Sequence, residues 1–183
     1  PNSASGWIRF NPIDFVMEPF AKETLHYTVK VPQEDLEGTY HSVLFFETLL
    51  GETKDQEGAS VLVAARLGSL FYVDIEGVEN RSGLVENIDV TPPRGNRPAA
   101  FDITFKNEGN TDIVLVGNVM ILDEEGLVKG RGELKSIYTS GGDSVTSNST
   151  WVGKLASGVY DLIFTFDMGG GESLVEEARM TVE

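Results

Sequence analysis

The sequence predicts an all-β chain of two Greek-key sandwiches in tandem, on three observations. A short pattern occurs twice, Leu36-Glu37-Gly38-Thr39-Tyr40 and Leu155-Ala156-Ser157-Gly158-Val159-Tyr160, each copy leading straight into an apolar strand. This is the form of a tyrosine corner, in which a Tyr opening a late strand of an immunoglobulin-like sandwich returns its hydroxyl to nearby backbone. Apolar and polar residues alternate along much of the chain, the period of a strand with one buried face. Turn-forming Gly, Asn and Asp clusters interrupt that alternation about every ten residues. Two corners imply two immunoglobulin-like β-sandwiches. About 80 residues lie between the polar break near Glu79 and Tyr160, room for the early strands of a domain of about 100 residues. Only 39 residues precede Tyr40. The expected organisation is therefore 1–78 as the C-terminal part of one sandwich, lacking its early strands, and 79–183 as a complete seven-stranded one.

Trp7, Ile8 and Phe10 form a strand that stops at Pro12, and Phe15 through Phe20 reads as a strand end turning at Pro19. Leu25, Tyr27, Val29 and Val31 alternate with Thr24, His26, Thr28 and Lys30, a strand with one buried face. Gln33 through Gly38 is a polar turn with room for a helical half-turn, and 40–49 is the strand after the corner. Residues 51–58, with Glu52, Lys54, Asp55 and Glu57, read as an exposed hairpin loop. The longest apolar stretch, 59–75, exceeds the five or six residues of an ordinary strand, and Gly68 is expected to bulge or bend it. After the polar break at 76–83 come seven strands: 84–91, 100–106, 113–122, 127–137, 144–152, 159–167 and 173–182. Asn107-Glu108-Gly109-Asn110 and Asp123-Glu124-Glu125-Gly126 supply turns between them, and Gly169-Gly170-Gly171 a flexible hairpin tip. Trp7 and Trp151 are expected in the core.

Fourteen basic against 29 acidic residues give a formal charge of −15, which repels nucleic-acid phosphate and anionic membrane. Nucleic acid is therefore excluded as an expected partner, and the acidity reads as solubility. No cysteine is present, so disulfides, thiolate zinc sites and thiol catalysis are ruled out while the compartment is left open. No apolar run reaches the roughly 18 residues of a membrane span. The start at Pro1 sets the expectation that an upstream piece, a signal peptide or a domain half, has been removed.

No residue set supports catalysis, and the expectation is a non-enzyme with no catalytic, metal or cofactor-binding residues and no cofactor. His41 and Ser42 are neighbours in a strand, so they point to opposite faces and cannot share a hydrogen bond. His26 and His41 are expected on solvent faces of adjacent strands. Asp123-Glu124-Glu125-Gly126 clusters oxygen ligands but lacks the spacing of a calcium loop. Gly169-Gly170-Gly171 has no following Lys-Ser/Thr and is no phosphate loop. Asn80-Arg81-Ser82 and Asn148-Ser149-Thr150 are glycosylation triplets of a kind that arises by chance. Most aromatics fall at inward-alternating positions, which leaves no flat platform for sugars. The stretch through Val61, Val63, Ala65, Leu67, Ser69 and Phe71 is apolar on both faces. It is either covered on both sides or an edge that takes a partner strand by β-augmentation.

Trp7-Ile8-x-Phe10-x-Pro12, Phe15-x-Met17-x-Pro19, Thr28-Val29-Lys30-Val31-Pro32 and Gly38-x-Tyr40-x-x-Val43-Leu44-Phe45-Phe46 together resemble the later part of the first domain of periplasmic pilus chaperones. They are similar also to bacterial surface proteins that reuse that domain. Leu67-Gly68-Ser69-Leu70-Phe71-Tyr72-Val73 looks like the last strand of that domain, which pairs with a pilus subunit. Phe105-Lys106-Asn107-Glu108-Gly109-Asn110 and Val116-Gly117-Asn118-Val119 look like the second domain of the surface-protein branch. The resemblance implies a periplasmic, extracellular or cell-surface bacterial protein that binds a protein partner through strand edges or loops, with strand exchange open to it. A pilus-type assembly chaperone and a carbohydrate-binding or enzyme-accessory module are the alternatives. Chaperones capture a subunit's carboxylate with an Arg on the first strand and a Lys on the last. Here Ser69 stands at the Lys position, and Arg66 lies on the other face.

Overall fold

The computed structural model describes residues 2–33, 36–54 and 60–183, with backbone alone at 52–54 and 60–62. Among these residues the chain is all-β, with twelve strands and no helix, and it divides into two units, Pro1–Asp74 and Ile75–Glu183.

In the first unit β1 (Ile8–Asn11) pairs antiparallel with β2 (His26–Val29). The strands β3 (Thr39–Lys54) and β4 (Ser60–Asp74) form a long antiparallel hairpin. Residues opposite one another across a ladder share a face. Tyr40, Ser42, Leu44 and Phe46 therefore lie with Val73, Phe71, Ser69 and Leu67 on one face, and Val43 and Phe45 with Leu70 and Gly68 on the other. The first face meets β1 and β2: the Phe71 ring centroid is 5.6 Å from Phe10 and 5.3 Å from Tyr27, both edge-on. Trp7 packs 4.4 Å from Tyr40. Aromatic pairs of this kind each add about 0.5–1.5 kcal/mol beyond their buried area. The base is closed by Thr39 Oγ1 donating to Asp74 Oδ1 at 2.7 Å, and by Ala4 N and His41 O at 2.8 Å.

Several expectations for this unit are corrected. β4 runs unbroken through Gly68, whose missing side chain gives room to Phe45 and Val43; the bulge falls instead on β3 between Leu49 and Gly51. The expected loop at 51–58 begins as strand to Lys54, and Asp55, Gln56, Glu57, Gly58 and Ala59 lie outside the described residues, as do Glu34 and Asp35 of the expected polar turn. Phe15 to Phe20 form no strand. Glu18 to Ala21 close a turn through Ala21 N and Glu18 O at 3.0 Å, with Phe20 at φ 66° and fully exposed. Tyr27, expected on a buried face, is 58% exposed. His26 and His41 do not stand on adjacent strands, and His41 is half-buried, edge-on to Tyr72 at 5.4 Å.

The second unit contains β5 (Gly83–Thr91), β6 (Ala99–Asn107), β7 (Ile113–Asp123), β8 (Val128–Glu133), β9 (Ile137–Thr139), β10 (Ser144–Trp151), β11 (Gly158–Asp167) and β12 (Ser173–Val182). One sheet has the order β10-β6-β5, and the other β12-β11-β7-β8, with β9 also on β7. Inward positions alternate as period two requires: Phe101, Ile103 and Phe105 on β6 face Leu115, Val119 and Ile121 on β7 and Leu162, Phe164 and Phe166 on β11. Phe101 and Phe164 meet edge-on at 5.3 Å across the two layers. Each such side chain contributes about 1.5–3 kcal/mol by leaving water.

The second corner forms as the motif predicts, with Tyr160 Oη donating to Ala156 O at 2.9 Å. The first does not: among the described residues the Tyr40 hydroxyl makes no such bond, and the residue is held by its ring against Trp7. The expected strand 127–137 is two strands, because Leu134 N turns to Gly117 O and Lys135 N to the Ser149 hydroxyl of β10. Trp7 and Trp151, both expected in the core, are half-buried, Trp151 packing against the edge of the second unit's core. The Trp151 indole N–H donates to Arg131 O at 3.0 Å, and its ring lies where Cβ atoms of Gly130, Gly132 and Gly153 would stand.

Two stability outcomes follow. Phe20 occupies the third position of a Pro19-led turn, where a positive φ favours Gly. Phe20→Gly relieves about 1–2 kcal/mol of backbone strain, offset by about 0.5–1 kcal/mol of added chain entropy, and calorimetry should show an equal or slightly higher melting temperature for the first unit. A clear fall means Phe20 has a packing role. Gly130→Ala drives a methyl into the Trp151 ring and should cost the second unit about 1–3 kcal/mol, read as a lower denaturant midpoint; an unchanged midpoint removes the glycine slot as a constraint.

Candidate functional site

Alternation puts Val61, Val63, Ala65, Leu67, Ser69 and Phe71 on one face of β4. The Val61 side chain lies outside those described, although its backbone pairs with Thr53. Phe71 is half-buried against Phe10 and Tyr27, whereas Ala65 and Ser69 are open and Leu67 is 71% exposed. The covered part of the face is thus its base, and β1 and β2 are too short, at 4 residues each, to cover strands of 16 and 15. β3 and β4 form a two-stranded sheet, so among the described residues no strand pairs with the outer edge of β4. The backbone donors and acceptors of that edge are available to another chain.

The other face is apolar as well. Val43, Phe45, Leu49, Leu70 and Tyr72 are all exposed on it. Aromatics expected to point inward thus stand in solvent, and the alternation missed them because both phases of the β3 and β4 patterns are apolar. In 39–51 and 63–74 the charged side chains are Glu47, Arg66 and Asp74. Arg66 Nε lies 3.1 Å from Glu47 Oε2, and its guanidinium rests 4.5 Å above the Phe45 ring. Both partners of that pair are more than half exposed, so it adds little to stability. It does cancel charge on the hairpin.

Other sequence-level candidates carry no comparable arrangement. Asp123 is occupied as a turn residue: its carboxylate accepts from Lys129 Nζ at 2.8 Å and from the amides of Leu127 and Glu125. Gly169, Gly170 and Gly171 all have positive φ and make the hairpin tip between β11 and β12. Among the described residues no three His, Asp or Glu side chains group to hold a metal, and no helix is long and apolar enough to cross a membrane. An open groove of about 660 Å³ on β7 and β8 is lined by Asn118, Met120, Arg131 and Glu133, a mixed surface with no convergent chemistry. No family model matches the chain, and no curated protein matches it significantly.

The Lys129 ammonium, with the two amides, holds the Asp123 carboxyl below its ordinary value. A depressed folded value means that this contribution is present above the unfolded value and lost as pH falls through the folded one. Carbon-detected NMR should place the Asp123 midpoint below the usual aspartate range, about 3.9, and Lys129→Met should move it upward. A midpoint that ignores the substitution would show that the amides alone set it.

Proposed function

We propose that the chain is a non-enzymatic protein-binding or cell-surface structural protein that receives an extended segment of another protein along the outer edge of β4. The observation that carries this reading is the open edge of a 15-residue strand with apolar residues on both faces. Backbone pairing supplies the affinity in strand addition, and the side chains beside the edge supply the selection. An added strand sends successive side chains to alternate faces. Since both faces of the hairpin are apolar, the favoured segment is apolar at consecutive positions rather than at every second one.

The extracytoplasmic, bacterial setting rests on the resemblance to pilus-chaperone-like domains, and the strand orders β10-β6-β5 and β12-β11-β7-β8 are in keeping with an immunoglobulin-like second domain. A carboxylate-anchoring chaperone needs a cation beside Ser69. Arg66 stands on the other face and is engaged by Glu47 and Phe45, so the observations favour strand capture without a carboxylate anchor.

Amide hydrogen exchange tests this directly. Short synthetic peptides, apolar at consecutive positions, should slow exchange of the β4 amides from Leu67 to Val73 by at least about tenfold, close to 1.4 kcal/mol. The same peptides with a central proline should not, because a proline removes a ladder donor. Peptides that bind without protecting β4, or that do not bind, defeat the reading.

A further inference from the structure

The hairpin has a surface that strand addition leaves unused. The face carrying Val43, Phe45, Leu49, Leu70 and Tyr72 is opposite the one on which Phe71 and Tyr40 meet the rings of β1, β2 and Trp7. A strand added beside β4, or a sheet laid over Phe71, does not cover it. In a half-buried sheet the face away from the core is ordinarily polar. Here it exposes Val43 by 42%, Phe45 by 51%, Leu49 by 65%, Leu70 by 63% and Tyr72 by 58%.

We propose that this face packs against the same face of a second copy of the chain, giving a two-fold dimer by sheet-on-sheet contact. Area is the first argument. The exposed parts of those five side chains amount to roughly 550 Å², and Glu47, Ala64, Arg66 and Gly68 between them bring the patch toward the ~800 Å² that each partner buries in a standard interface. The roughly 550 Å² of the five side chains alone is near the top of the range for the largest apolar patch on a free monomer, about 300–600 Å².

Charge is the second argument. The chain carries −15, yet among the described side chains the middle of this face, from Val43 to Leu49 and Ala64 to Leu70, holds one acid and one base, Glu47 and Arg66, side by side at 3.1 Å, while Asp74 stands at the base of the face and accepts from Thr39. A two-fold contact is self-complementary and places like patches together. A central patch with one charge of each sign meets that condition whether each pair stays internal or exchanges across the axis. It offers no net charge by which a basic foreign surface would be selected. Arg66 also rests 4.5 Å from the centre of the Phe45 ring, so its charge is held against the patch by a cation–π contact as well as by Glu47.

Sedimentation velocity of the whole chain, from micromolar to millimolar and at low and high salt, tests the proposal. The expected result is a concentration-dependent monomer–dimer equilibrium that tightens with salt, because screening weakens the repulsion between two acidic chains. Leu70→Lys should raise the dimer Kd at least about tenfold, and Val43→Lys should do the same. Leu67→Lys, on the opposite face, should leave it unchanged. All three side chains are already exposed, and matched melting curves check that each variant folds. A chain that stays monomeric throughout overturns the proposal, as does a dimer that survives Leu70→Lys and Val43→Lys or that Leu67→Lys abolishes. The strand-addition reading stands or falls separately, on amide protection in β4 by added peptide.

Discussion

The first unit depends on the pairing of β3 with β4. Isolated two-stranded hairpins are marginal in water, and among the described residues this one meets β1, β2 and Trp7 at its base, where Phe71 contacts Phe10 and Tyr27 and where Tyr40 contacts Trp7. The backbone ladder carries that order outward past the reach of β1 and β2. The result is a ribbon anchored at one end whose far part has regular hydrogen bonding but open side chains. The two contacts proposed for it would use different parts of it: the edge offers amides and carbonyls, and the far face offers area.

The second unit solves the same problem differently. Its two sheets bury one face each against the other, so Phe101, Phe105, Phe164 and Phe166 are essentially out of water. One flank is closed by the contact of Trp151 with β8 and of Lys135 with Ser149. At one end of the layers the buried Asn107 donates to Thr111 O and accepts from Gly109 N, which fixes the turn into β7. The outward faces carry polar pairs such as Thr104 with Thr146 and Asp102 with Asn148. The outward surface is mixed, since Val116, Tyr138 and Val175 stand exposed as well, but each sheet of this unit has one face covered by the other.

Legibility in the sequence tracks the same difference. Most segments of the second unit read clearly because one phase of the alternation is apolar and the other polar, β7 with its exposed Val114 and Val116 being an exception, and because Gly, Asn and Asp mark the turns. The break between β8 and β9 was hidden because its cause is non-local: the Ser149 hydroxyl on another strand draws the Lys135 amide away. In the first unit both phases of β3 and β4 are apolar, so periodicity revealed strands without saying which face was covered. The bulge between Leu49 and Gly51 has a local mark in Gly51, at φ 137°, but the apolar run through Leu49 and Leu50 reads as unbroken strand. Gly68 reads as a bend by propensity, but its use is room for Phe45. Tyr40 and Tyr160 share one motif and end differently: Tyr160 returns its hydroxyl to Ala156 O, whereas Tyr40 packs its ring against Trp7. That 61–71 run along one strand was legible; the apolar outer face around Phe45 was not, since it depends on a cross-strand register.

Trp7 and Trp151 are the two tryptophans of the chain, and the fold assigns one to each unit. Their settings differ: Trp7 lies beside a tyrosine ring, whereas Trp151 sits over backbone glycines with its indole N–H bound to a carbonyl. Each unit therefore carries its own intrinsic fluorophore. Emission from Trp7 originates in the unit that bears the open hairpin, and emission from Trp151 in the closed sandwich. With either replaced by Phe, the molecule becomes a single-emitter protein whose spectrum follows one half without any attached dye.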